Sequence, residues 1–191
     1  MAVALVAAPL SAFAGGSLDV FYVDQDLDAG PADNDGHGYG IRGAAELGHG
    51  LSLTALHQDA DLDTPIKSNL KETRIGLSYD RAMNGFSVGG GLETVTLDTN
   101  TGGAGASQRG YSVNMHASIS PIENVSAYAR VGYTDLDDSD GIEYEVGASY
   151  AITPEVAGFI EYRMLQLETN ATPSVDVDLD TLRIGARYTF K

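Results

Sequence analysis

From Ser17 to the end of the chain, apolar and polar residues alternate in runs separated by segments rich in Gly, Asp, Asn and Pro. Successive strand side chains point to opposite faces, so this period of two predicts strands. No segment carries a convincing 3.6-residue helical period. Ten strands are predicted, near 17–27, 37–47, 51–59, 71–80, 86–97, 109–119, 125–134, 142–151, 156–167 and 179–190. Their length of roughly 9–11 residues is what a tilted strand needs to cross a bilayer. An even number of strands puts both chain ends on one side.

The connections are of two kinds. Four are tight: 48–50, 81–85, 120–124 and 152–155. Five are longer and rich in Asp, Gly and Asn: 24–36, 59–70, 98–108, 135–141 and 168–178. Short turns facing the periplasm and longer loops facing outward are the outer-membrane pattern. The strands beside the tight turns also resemble one another, as in Thr73-Arg74-Ile75-Gly76-Leu77 and Arg183-Ile184-Gly185-Ala186-Arg187. Such similarity reads as a repeated hairpin.

Each strand has two distinct faces. Near 109–119, Tyr111, Val113, Met115, Ala117 and Ile119 oppose Ser112, Asn114, His116 and Ser118. The polar face is mostly Gly, Ala, Ser and Thr with interspersed Arg and Glu, which suits a crowded lumen better than a solvated surface. It is less clean where Phe21, Val95, Phe159 and Leu165 fall on it. Nine of the ten Tyr lie on the apolar face. Tyr39, Tyr111, Tyr133 and Tyr144 are expected at the outer membrane interface, and Tyr79, Phe86, Tyr150, Tyr188 and Phe190 at the inner one. Two such girdles anchor a barrel to lipid headgroups. They weigh against a soluble sandwich or lipocalin-like barrel. The expected fold is all-β, a closed antiparallel up-and-down transmembrane β-barrel of about ten strands over residues 15–191, with eight strands as the alternative.

Composition adds the cellular setting. Met1 to Leu10 is nearly all apolar, and Ala12-Phe13-Ala14 offers small residues where a signal peptidase reads. Residues 1–14 therefore read as a signal peptide, lacking a basic first segment and so truncated at its start. The expected location is the outer membrane, with both termini periplasmic. Cysteine is absent, which excludes thiol catalysis and thiolate metal sites. A net charge of −16 argues against nucleic acid as a partner.

The charges sort into two sets. The loop carboxylates face only Lys67, Lys71 and Arg109, giving an acidic rim that attracts cations. The second set falls on the polar strand face: Arg42, Glu46, Glu72, Arg74, Glu93, Arg130, Glu143, Glu145, Glu161, Arg163, Arg183 and Arg187, with Asp19 and Asp80. Interior charges are costly unless paired, so a cross-lumen network is expected. The lumen is then either plugged or threaded by a narrow, cation-preferring path.

Chemistry beyond that is sparse. Asp24, Asp26 and Asp28, and Asp135, Asp137, Asp138 and Asp140, supply hard oxygens for weak divalent binding that would bridge to lipopolysaccharide phosphates, but neither run matches an EF-hand loop. His116-x-Ser118 is similar to the His-x-Ser pair of lipid A deacylases, yet it faces the lumen near a tight turn and no acid partner is evident. His37 and His57 lie among the rim Asp, as in outer-membrane proteases. No catalytic residue and no cofactor is expected.

Taken whole, the mature chain resembles the small outer-membrane β-barrel proteins, the OmpA/OmpX/OmpW-like group. The resemblance rests on the leader, the hairpin repeat, the girdles and the C-terminal Arg187-Tyr188-Thr189-Phe190. It implies outer-membrane lipid and lipopolysaccharide as surroundings, and a C-terminal aromatic read by the barrel-assembly machinery. Lys191 after Phe190 departs from that pattern. The expected function is a narrow porin-like, cation-preferring passage. The alternative is a closed structural or interaction barrel, an envelope stabiliser or adhesin-like protein that displays acidic loops.

Overall fold

The structure is a computed structural model that describes residues 15–29, 32–65, 67–172 and 174–191. The expected signal peptide lies outside the described residues. Ten strands follow one another: β1 (Gly16–Ala29), β2 (Ala32–Gly48), β3 (Leu51–Leu62), β4 (Ser68–Met83), β5 (Phe86–Thr101), β6 (Ala104–Ile122), β7 (Val125–Leu136), β8 (Ser139–Ala151), β9 (Val156–Thr169) and β10 (Asp176–Phe190). Each is antiparallel to its chain neighbours, and β1 closes on β10 with Gly16 opposite Phe190. Closure leaves no sheet edge, so the ladder satisfies the backbone polar groups that lipid cannot.

Gly16, Phe190 and the turns after β2, β4, β6 and β8 share one end of the barrel, here the terminal end. The turn after β2 holds Gly48, His49 and Gly50 at φ 92°, 56° and 82°. Flanking glycines supply this left-handed path at low cost, and His49 tolerates it because it is not β-branched.

The opposite, acidic end corrects the expected loops. Strands run 12 to 19 residues, well beyond the length needed to cross lipid. The expected loop 24–36 is mostly ladder, with Gln25 opposite Gly36 and Asp28 opposite Asp33. Loop 98–108 contracts to Gly102-Gly103, and loop 135–141 to Asp137-Asp138. Alternation explains the difference. Asp24, Asp26 and Asp28 point outward while Gln25 is buried within, so the acidic run continues the two-residue period. A solvated Asp on the outer face does not end a ladder.

The outer face is apolar through the middle of every strand. Val20, Ile41, Ile75, Leu92, Val113, Val146, Ile160 and Ile184 are all exposed there, which would be intolerable in water and is what lipid requires. Inside lie two apolar clusters. Phe21, Val23, Leu56 and Phe159 form one against the β1–β10–β9 wall. The other, at the acidic end, is Leu70, Val95, Leu136, Leu165, Leu167 and Leu179, with Leu27, Leu62, Leu97 and Val177 packed on it.

Candidate functional site

Inward positions of eight strands send charged side chains to one level of the lumen, where they form two balanced groups. In the first, Asp19 accepts from Arg42 Nε and Arg187 Nε, both at 2.8 Å. Arg42 also forks onto Glu161 at 2.6 and 3.0 Å, and Arg183 reaches Glu145 at 3.2 Å. In the second, Arg163 forks onto Glu72 at 2.6 and 2.7 Å. Arg74 touches Glu72, Glu93 and Glu143, and Arg130 lies 2.8 Å from Glu93 and 3.1 Å from Glu143. Each group holds three guanidiniums and three carboxylates. Gln58 joins them, accepting from Arg183 Nε and donating to Glu72 Oε2, each at 2.9 Å.

Such burial is costly one charge at a time, and the balance of charge is what makes it tolerable. Arg163, Arg183, Glu72, Glu143 and Glu161 are each at most 2% exposed. Arg42 and Arg187 lie over the Phe159 ring, their guanidinium carbons 5.4 and 5.5 Å from its centre. Arg183 sits 5.7 Å from the ring centre of Phe21. These aromatic faces add cation–π attraction to the ion pairs. Tyr128, the inward Tyr, donates to Glu145 at 2.6 Å, and its ring occupies the space that a side chain at Gly147 would need.

Eleven of the twelve expected network residues meet in this layer. Glu46 does not. It still pairs in register with Ser52, but it lies at the terminal mouth beyond the charged layer, where its side chain is exposed beside Gly15. Asp19 completes the layer. Asp80 belongs instead to a different pair: its Oδ1 lies 2.7 Å from His116 Nε2. The acid partner that sequence spacing did not disclose is therefore on β4, brought beside His116 across Gly89, where a Cβ would clash with both. Ser118 hydrogen-bonds Ser87 at 2.8 Å rather than His116.

Between the terminal mouth and the charged layer lies a cavity of about 500 Å³, lined by Ser17, Thr54, Ser78, Asp80, His116, Ser126, Arg42, Arg130 and Arg187, among others. Beyond the charged layer, toward the acidic end, the buried leucine cluster gathers side chains from β4, β5, β7, β9 and β10. The cavity is a vestibule at the terminal end. The cluster had a trace in the sequence, since Val95 and Leu165 break the polar face. Leu62, Leu70 and Leu136 fell in segments expected to be loops.

All nine expected girdle residues face outward on their strands, and Tyr22 and Tyr162 join the band nearer the acidic end. Tyr22 packs edge-on against Tyr39 at 5.8 Å. Tyr111, Tyr133 and Tyr162 donate to Asp135, Asp140 and Asp180 at 2.7, 2.6 and 2.7 Å. Each pair marks the step from apolar ring to charged rim. The candidate metal ligands do not assemble. Among the described residues no three His, Asp or Glu side chains are grouped to hold an ion. Asp24, Asp26 and Asp28 are strung along one strand about 7 Å apart, two residues of rise each. Asp135 and Asp140 already accept from tyrosines, and Asp137 from the Arg109 backbone. His57 contacts Thr73 on the outer face at 2.9 Å.

The family model for the Gram-negative porin matches residues 10–171. The chain belongs to the Gram-negative porin family. It is accordingly an integral outer-membrane β-barrel protein. Comparison with curated proteins returns no match. Among solved structures, this porin-family chain is similar to outer membrane protease OmpT from Escherichia coli, at TM-score 0.60 and 10% identity over 93% of this chain and 97% of that one. Neisserial surface protein A matches at 0.54 and 13% identity, over 91% and 96%. The translocator domain of autotransporter NalP from Neisseria meningitidis matches at 0.52 and 10%, over 91% and 88%. At such identities the likeness concerns the fold alone. A protease, a surface protein and an autotransporter's translocator domain share it, so fold does not assign activity here.

Proposed function

We propose that this porin-family chain is a closed outer-membrane barrel whose work lies at its two ends rather than in free passage between them. One observation carries the reading: the leucine cluster, each member at most 7% exposed, stands across the lumen between the charged layer and the acidic end. The terminal end then faces the periplasm, as short turns do in such barrels, and the acidic end faces outward. Asp24, Asp26, Asp28, Asp35, Asp178 and Asp180 stand there on three adjoining strands, an exterior suited to envelope cations and to the phosphates those cations bridge.

A narrow cation-preferring passage is the second reading. It is favoured by the porin-family match and by the acidic rim, which concentrates cations at one mouth. Single-channel recording on the refolded chain in a planar bilayer separates the two. A silent bilayer, with folding shown by heat-modifiable gel mobility, supports closure. Discrete cation-selective steps overturn closure and establish the passage.

A further inference from the structure

The charged layer is balanced in number but not in what it presents to the vestibule. Arg187, Arg42 and Arg130 are 32%, 20% and 16% exposed, whereas their partners Asp19, Glu161 and Glu143 are at most 2% exposed. Glu93, at 13%, reaches the cavity to a comparable degree, and Asp80, at 44%, lines it paired with His116. In the other pairs the carboxylates stand behind the guanidiniums, so a solute entering from the terminal end meets their cationic side first.

Unused hydrogen-bonding capacity points the same way. Among the described residues, four buried nitrogens that belong to residues lining the cavity have no hydrogen-bond partner: Asn114 Nδ2, Arg130 Nε, Arg163 Nε and Arg183 Nη2. All four are donors. Glu143 Oε1 is the single lining acceptor in that condition, and it stands 3.1 Å from Arg130 Nη2. Arg163 and Arg183 are each 1% exposed, so these donors are fixed by their other hydrogen bonds and cannot turn to bulk water. Buried donors without partners favour a ligand rich in acceptors. A guanidinium fork matches a carboxylate or phosphate in particular.

We propose that the vestibule is a binding pocket for a small carboxylate- or phosphate-bearing solute, received at its Arg42–Arg130–Arg187 face. The inference rests on the closed-barrel reading only in taking the lumen as blind. A cavity of about 500 Å³ suits a compact anion with a few waters, not a polymer. His116, held by Asp80, and the Ser87–Ser118 pair line the route inward and offer further polar contacts.

The test is titration of the full-length refolded protein in neutral detergent with inorganic phosphate and, separately, with malonate, at constant ionic strength set by sodium chloride. The readout is the unfolding temperature and the calorimetric isotherm. Saturable binding is expected for at least one of the two anions, and which one separates phosphate from carboxylate recognition. Arg187→Gln and Asn114→Leu should each weaken it about tenfold, the loss of one hydrogen bond to a charged ligand. Lys71→Gln, at the far end, should leave it unchanged. Arg187 is the most exposed guanidinium of the charged layer, so its variant is expected to fold, and gel mobility verifies this. No saturation by either anion, or binding equal in all three variants, overturns the proposal. Bilayer conductance reads closure separately, so a conducting barrel and an empty vestibule give different results.

Discussion

Arg163 and Glu72 span the diameter of the barrel. They stand on β9 and β4, five strands apart around a ring of ten, and meet through two parallel hydrogen bonds of 2.6 and 2.7 Å. Both are essentially unexposed, and Glu72 also receives Arg74 and Gln58. Such a contact is a strut. It fixes opposite walls at one separation, and it works only while both charges are present.

Removing one partner should therefore cost more than removing both. Glu72→Gln leaves the buried Arg163 and Arg74 short of an anion, a loss of about 3–5 kcal/mol for a broken buried pair. Replacing both by Met should recover most of it, because two apolar side chains of similar volume carry no desolvation cost. The temperature at which the compact gel band disappears checks this. A single variant no less stable than the double would show that the strut contributes nothing.

Tyr128 and Gly147 make a steric pair of the opposite kind. A Cβ at Gly147 would lie inside contact distance of the Tyr128 ring, which is itself tied to Glu145 at 2.6 Å. Gly147→Ala should destabilise by about 1–3 kcal/mol through overpacking. Adding Tyr128→Leu, which removes the ring that collides, should return stability toward the parent. If Gly147→Ala alone leaves the unfolding temperature unchanged, the ring is free to move and the pair is not a constraint.

Most of the barrel was legible because lipid inverts the usual pattern without changing its period. Ile41, Val113 and Ile184 face out as surely as they would face in elsewhere, and alternation cannot tell the two apart. The girdles and the small, Lys-poor polar face could. Strand ends were not legible. Leu62, Leu70 and Leu136 lie beyond the length a bilayer demands, where acidic neighbours suggested loops. The partner of His116 was hidden for another reason. Asp80 is 36 residues away, and only the registers of β4 on β5 and β5 on β6 bring the two together over Gly89. Glu46 misled because alternation gives the face of a residue and not its depth, and Glu46 stands at the mouth, short of the charged layer.

The plug offers a direct test of closure. Leu165 and Leu179 are adjacent across β9 and β10, at 0% and 3% exposure. Replacing both by Ser removes the apolar bulk and supplies hydroxyls that hold water, with loss of stability for each truncation of about 2–5 kcal/mol. The variant should pass current where the parent is silent, and more for potassium than for chloride because of the acidic mouth. A variant that folds yet stays silent would locate the seal in the Arg–Glu layer instead.

The acidic end predicts a response to salt without a response to a particular ion. Register sets Asp26 opposite both Asp35 and Asp180, and Asp28 opposite Asp178. Facing like charges destabilise a ladder, and screening weakens that repulsion over a distance of about 10 Å at 0.1 M salt. Raising sodium chloride should therefore raise the unfolding temperature gradually. Calcium chloride at equal ionic strength should do little more, because the carboxylates are spread along strands and no three of the described acidic side chains gather around one point. A saturable calcium-specific rise would mean that the rim rearranges to enclose the ion. In that event Asp26→Asn should abolish the rise, whereas under simple screening the same change should stabilise the barrel at low salt.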